Sequence, residues 1–202
     1  MKKTILMTAL VLMVLSAGLY YHYMRQPQNI FDEMYQETKK SYKNKNIFSS
    51  LNGVDVRKYQ EYDDSHFYSD IVYSNKYLPD TYKNVELIFH FTQDTRTVFL
   101  SFEKELAPDI RIWIFGRYSL KEKRFRKSVQ IIKQGDPDKY IDKASQVKKY
   151  LADYGITAAD LDRYYDEIIN QKVLTDWCAI YDSNYSPADY GHVKVVTEWE
   201  KW

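Results

Sequence analysis

The sequence predicts an α+β fold: a single N-terminal transmembrane helix, then one domain in which an antiparallel sheet carries helices on one face. Three observations predict it. A charge-free apolar stretch follows Met1-Lys2-Lys3; residues 54–134 alternate like strands between turn signals; and after Gly135 the apolar period becomes that of helices. The boundaries are 1–25 for the anchor and 26–202 for the domain.

Residues 4–24 hold no charge. As a helix they would be roughly 31 Å long, about the thickness of a bilayer's hydrocarbon core. Ser16 and Gly18 would fit the small positions of a signal-peptide cleavage site, which is the alternative. Against cleavage, apolar character continues through Leu19, and Tyr20, Tyr21 and Tyr23 are residues that settle at the membrane interface. Lys2 and Lys3 precede the stretch, whereas Arg25 is the only basic residue from 24 to 38. The positive-inside rule then places Met1 in the cytoplasm and the domain outside the cell membrane.

The chain has 29 basic and 28 acidic residues; without Lys2, Lys3 and Arg25 the domain holds 26 basic residues against 28 acids. That balance gives no case for nucleic-acid binding. The single cysteine, Cys178, has no internal partner, so a chain outside the cell must rely on its core for stability. Twenty tyrosines among 202 residues suit surfaces that are apolar with a wet tip.

Residues 29–44 read as a helix capped by Asn29, with Phe31, Met34, Tyr35, Thr38 and Tyr42 on one side. "NIFSSLNG" breaks it, and turn signals at "SNKYLPD", "TQDT", "LAPD" and "LKEK" divide the strand region. A two-residue loop at Asp94-Thr95 would set Phe91 opposite Val98, Phe89 opposite Leu100 and Leu87 opposite Phe102. A loop at Lys121-Glu122 would set Tyr118 opposite Phe125, Ile114 opposite Val129 and Ile112 opposite Ile131. Then Tyr140, Ala144, Val147 and Leu151 form a helical stripe stopped by Gly155. Thr157 caps the next helix with Asp160 at its third position, and Leu161, Tyr164, Tyr165, Ile168 and Ile169 make its buried side. A last short helix covers residues 174–180, and "HVKVVTEW" closes the chain as a strand joining the sheet.

The reverse sheet face carries Ile88, Phe99, Trp113 and Phe115, bordered by arginines. Aromatic residues on an otherwise open face point to a partner, or to another layer of the same domain such as the N-terminal helix. Residues 111–133 contain eight basic side chains and one acid, Glu122, and the register sets Arg117 opposite Arg126. The candidate partner-binding residues are therefore Arg111, Trp113, Phe115, Arg117, Arg124, Arg126 and Phe99.

No catalytic constellation emerges. His22, His66, His90 and His192 form no metal-ligand motif, no G-x-S-x-G occurs, and six glycines give no phosphate-cradling loop. Asp63, Asp64, His66 and Asp70 read as a polar strand end rather than a metal cluster. "GDPDKYID" lacks the glycine and terminal glutamate of a calcium loop and reads as a turn plus a helix N-terminus. No catalytic residue, metal or cofactor is expected.

With its short N-terminal tip, one anchor, "NIFDEMY", "YSDIVYS", "VELIFHFTQDTRTVFLSFEK" and a helical second half, the chain resembles the TipC-type immunity proteins of streptococci. The resemblance implies a membrane-anchored, outward-facing, non-catalytic inhibitor that binds one-to-one a TelC-type toxin exported by type VII secretion and directed at the cell-wall precursor lipid II. It also implies that such a toxin has an aspartate-rich active site, which suits an arginine-bearing surface. The alternative, from another class, is a cell-surface accessory protein whose basic aromatic face holds an anionic wall polymer or lipid headgroup.

Overall fold

The computed structural model describes residues 2–41, 54–63, 66–73, 78–90 and 96–199, with side chains for 7–23, 26–40, 78–90 and 96–199. Helix α1 (Lys2–Arg25) leads directly into α2 (Ile30–Ser41). The sheet follows as β1 (Val54–Asp63), β2 (His66–Tyr73), β3 (Tyr82–His90), β4 (Thr97–Ala107), β5 (Ile110–Ser119), β6 (Arg124–Lys133) and β7 (Lys139–Ile141). Then come α3 (Ala144–Asp153), α4 (Ala158–Tyr165), a π-helical segment (Asp166–Leu174), α5 (Thr175–Tyr181) and β8 (Lys194–Thr197).

The strands from β1 to β7 pair in chain order, each antiparallel to the last. β8 joins β6 in parallel, so the sheet is mixed rather than wholly antiparallel. β7 and β8 divide the outer edge of β6 between them: β7 pairs with Ile131 to Lys133, and β8 with Arg124 to Lys127.

The β5–β6 register is the expected one, with Tyr118 opposite Phe125, Ile114 opposite Val129 and Ile112 opposite Ile131. The turn is four residues long, 120–123, and Lys123 takes the left-handed φ of 49° that closes it. The β3–β4 register differs from expectation by two residues. Leu87 stands opposite Leu100 and Phe89 opposite Val98, and the last pair is His90 with Thr97. Phe91, Asp94 and Thr95 lie outside the described residues, as does Tyr42. Because the shift is even, every side chain keeps its predicted face.

One face is the core. Leu87, Phe89, Leu100, Phe102, Ile112, Ile114, Tyr118, Phe125 and Ile131 point into it, all at most 1% exposed. α2 covers part of this same face. Its Phe31 ring stacks on Phe125 at 4.5 Å and on Tyr118 at 5.1 Å. The alternative that the N-terminal helix covers the reverse face is thereby excluded for α2. Asn29 caps α2 as expected, its Oδ1 accepting the Asp32 N–H at 2.9 Å.

The C-terminal helices complete the layer. Thr157 and Asp160 form a reciprocal capping box on α4, and Gly155 stops α3 with a φ of 67°. The run from Ala158 to Tyr181 is continuous, so the expected short helix over residues 174–180 is not separate from the one before it. Buried pairs recur at Tyr164/Tyr165, Ile168/Ile169 and Val173/Leu174, so the last interval is five residues instead of four. An α-helix would carry that pair off the buried side; the wider π turn absorbs the extra residue and keeps it facing the sheet. Tyr140 is a correction. It belongs to β7, not to a helical stripe, and is 57% exposed.

α1 is helical over its whole length, and its apolar side chains from Met7 to Tyr23 stand exposed. The expected spanning helix is not shown: among the described residues no helix is long and apolar enough to cross a membrane.

Candidate partner-binding face

Strands β4, β5 and β6 turn their alternate residues away from the helices. Across them Phe99 stands opposite Arg117, Phe115 opposite both Ser101 and Ser128, and Trp113 opposite both Glu103 and Gln130. The rings form one continuous strip. Phe99 and Phe115 lie 5.5 Å apart, Phe115 and Trp113 5.1 Å, and Trp113 and Tyr140 6.0 Å. Phe99, Trp113 and Phe115 are all half-buried, in contrast to the sealed opposite face. The strip is thus closed at its base by the sheet and open above, with aromatic edges available for contact.

The expected arginines do not behave alike. Arg111 is only 14% exposed and is held between Glu103 and Asp138. Asp138 sits in the turn before β7, where it also accepts the Gly135 N–H at 3.0 Å. The "GDPDKYID" stretch is therefore a turn and a strand, not a helix N-terminus, because α3 begins only at Ala144. Arg124 lies 3.7 Å from Glu122, and Arg126 lies 3.8 Å from Glu198, which β8 brings alongside β6. Glu198 also accepts a hydrogen bond from Ser128 at 2.5 Å. Arg117 is exposed and has no ion-pair partner among the described residues.

Two of the eight cations counted along residues 111–133 leave the face altogether. Lys127 turns toward the helices, 3.1 Å from Asp162 and over the rings of Tyr165 and Trp199. Lys123 reaches the nearly buried Asp32 at 2.6 Å. The face is consequently an aromatic strip with a cationic corner at Arg117 and Arg126 and a paired, acidic end at Glu103 and Glu105. Lys83 holds the Glu105 carboxyl below the usual range through a hydrogen bond.

Sequence reasoning missed Tyr140 and Glu198 as members of this face. The signal for Tyr140 was present: it alternates with the buried Ile141, a period of two. No group of histidine, cysteine or carboxylate side chains among the described residues is arranged to hold a metal. Asp64 lies outside the described residues, and Asp63 pairs with His66 to close the β1–β2 hairpin.

A family model described as "TipC immunity protein-like" matches residues 2–198. The chain belongs to the TipC immunity protein family. Among solved structures, TipC2 from Streptococcus intermedius B196 superposes with a TM-score of 0.83 at 49% identity, covering 88% of this chain and 100% of that one. Comparison with curated proteins finds no match. Membership in TipC implies neutralisation of a cognate toxin such as TelC, and the family is non-catalytic. Its members are membrane-associated.

Proposed function

We propose that this protein is a single-pass, outward-facing immunity protein. It binds one copy of a secreted toxin of type VII secretion, directed at the cell-wall precursor, and blocks it by docking it on the open sheet face. The observation that carries the reading is the family match over residues 2–198. The strip of Phe99, Trp113 and Phe115, with Arg117 beside it, supports the choice of face, because half-buried aromatics next to arginine are the usual anchors of protein interfaces.

α1 is proposed as the anchor. A 24-residue helix is about 36 Å long, comparable to a hydrocarbon layer, and residues 4–24 carry no charge. Its described side chains are uncovered by the rest of the protein, and Lys2 and Lys3 favour a cytoplasmic N-terminus.

Cells exposed to the cognate toxin test the reading. Full-length protein should protect them, and Trp113→Ala or Arg117→Glu should abolish protection at equal protein level. Protease added to wall-stripped cells should digest the domain while sparing a short N-terminal fragment in the membrane. Unchanged protection by both variants would overturn the assigned face, and full protection of the domain from protease would overturn the orientation.

A further inference from the structure

We propose that the end of the domain around the exit of α1 is a docking surface for the anionic headgroups of the membrane that α1 enters. The inference rests on the anchor reading above. Four residues, 26–29, join α1 to α2, and they are fastened at every step. The Gln26 N–H and the Gln28 side-chain amide both donate to the Tyr23 carbonyl at 3.1 Å. The Tyr185 hydroxyl donates to the Pro27 carbonyl at 2.9 Å, and the Gln28 N–H donates to Asp32 at 3.2 Å. Gln28 also passes so close to Gly191 that a Cβ there would lie 3.1 Å from its carbonyl oxygen. A linker of this length reaches at most about 14 Å, and this one has no slack, so the same end of the domain stays next to the exit of α1.

That end is built from the 120–123 turn and residues 191–194. Asn29 donates to the Tyr118 hydroxyl at 2.7 Å, Lys123 pairs with Asp32, and the Lys194 N–H donates to the Lys123 carbonyl at 3.2 Å. The Leu120 N–H donates to the Arg96 carbonyl at 3.1 Å, which brings Arg96 to the same end. Lys123 and Arg124 spend their charges on Asp32 and Glu122. Arg96, Lys121 and Lys194 are exposed and have no ion-pair partner among the described residues. Among the described residues the exposed acids at this end are Glu122 and Asp189, and Asp189 is engaged by the Gly191 N–H. Three cations without an ion-pair partner among the described residues are thus held at the end of the domain from which α1 leaves, where Tyr20, Tyr21 and Tyr23 stand exposed on its last turns. An anionic surface attracts each such basic residue by about fivefold in affinity, and the effect fades within a Debye length.

The full chain, reconstituted in nanodiscs of phosphatidylcholine alone or mixed with phosphatidylglycerol, provides the test by hydrogen–deuterium exchange. Peptides covering 119–124 and 191–197 should exchange several-fold more slowly in the anionic discs, in keeping with the roughly fivefold gain per cation. Peptides from the far end of β5 should not change. High salt, or the exposed double variant Lys121→Glu/Lys194→Glu, should erase the difference. Equal exchange in both discs, or slowing that survives the double variant, overturns the proposal while leaving the anchor intact. A chain that elutes free of lipid overturns the anchor reading, and this proposal with it.

Discussion

Arg117 stands directly opposite Arg126 on neighbouring antiparallel strands, and among the described residues only Arg126 of the two has a carboxylate near it, Glu198 at 3.8 Å. Like charges opposite each other cost a sheet up to roughly 1 kcal/mol. Glu198 relieves one side of the pair, and Arg117 has no compensating carboxylate among the described residues. A toxin carboxylate would complete it. Arg117→Gln should therefore leave the melting temperature unchanged or raise it slightly. Arg117→Glu should weaken toxin binding by more than about 2 kcal/mol, the scale of an interface hot spot. Calorimetric titration of both variants decides the matter, and wild-type affinity for Arg117→Glu would remove this residue from the interface.

Trp113 and Phe89 occupy opposite faces of one sheet and should fail in opposite ways. Phe89 is 0% exposed, and truncating it to alanine should cost about 3–5 kcal/mol of stability. Trp113 is half-buried among Phe99, Phe115 and Tyr140. Trp113→Ala should lose much less stability but most of the toxin affinity. Denaturant melts alongside binding measurements separate the two, and equal destabilisation would make Trp113 a core residue.

The β5–β6 hairpin was legible in the sequence because burial on one face fixes the register to within an even shift and the polar "LKEK" stretch leaves little choice of turn. The β3–β4 pair had the same alternation. Leu87, Phe89 and Phe91 match Val98, Leu100 and Phe102 equally well at a shift of two, so the pattern fixes the face and not the partner. Direction was illegible as well: nothing in "VKVV" says that β8 runs parallel to β6 and so delivers Glu198 to Arg126. The candidate face was therefore readable as an aromatic strip. Which of its arginines are already paired was not, because Glu103, Asp138 and Glu198 reach them only through tertiary contacts.

Alkaline pH should unfold the domain through its tyrosines. Burial raises the Tyr118 hydroxyl well above its ordinary value of 10.0, and the neighbouring Asp32 carboxylate adds to it. Burial likewise raises Tyr82, Tyr165, Tyr181 and Tyr190, the last two to about 12. A folded-state value above the unfolded one means that the stabilisation is complete below pH 10 and is lost as pH rises through the folded values. Tyrosinate absorbance should accordingly appear in two stages: exposed residues first, then a cooperative step coinciding with loss of circular dichroism. Full titration near pH 10 with the fold intact would contradict this burial.

Gly116 shows why one position on β5 admits no side chain. It stands between Phe115 and Arg117 but faces the helices, and an added Cβ would lie 2.2 Å from Cζ of Phe125. That ring has no room to slide, since it is stacked on Phe31 at 4.5 Å with 4° between planes and meets Tyr190 edge-on at 5.5 Å. Gly116→Ala should thus cost about 1–3 kcal/mol, the usual range for overpacking a core. Phe125→Ala alone should cost about 3–5 kcal/mol by leaving a cavity. In the double variant the methyl no longer meets the ring and partly fills its space, so the combined loss should fall well short of the sum. Additive losses in denaturant melts would show that the clash is absorbed elsewhere, and that Gly116 is not what lets Phe125 lie flat between the sheet and α2.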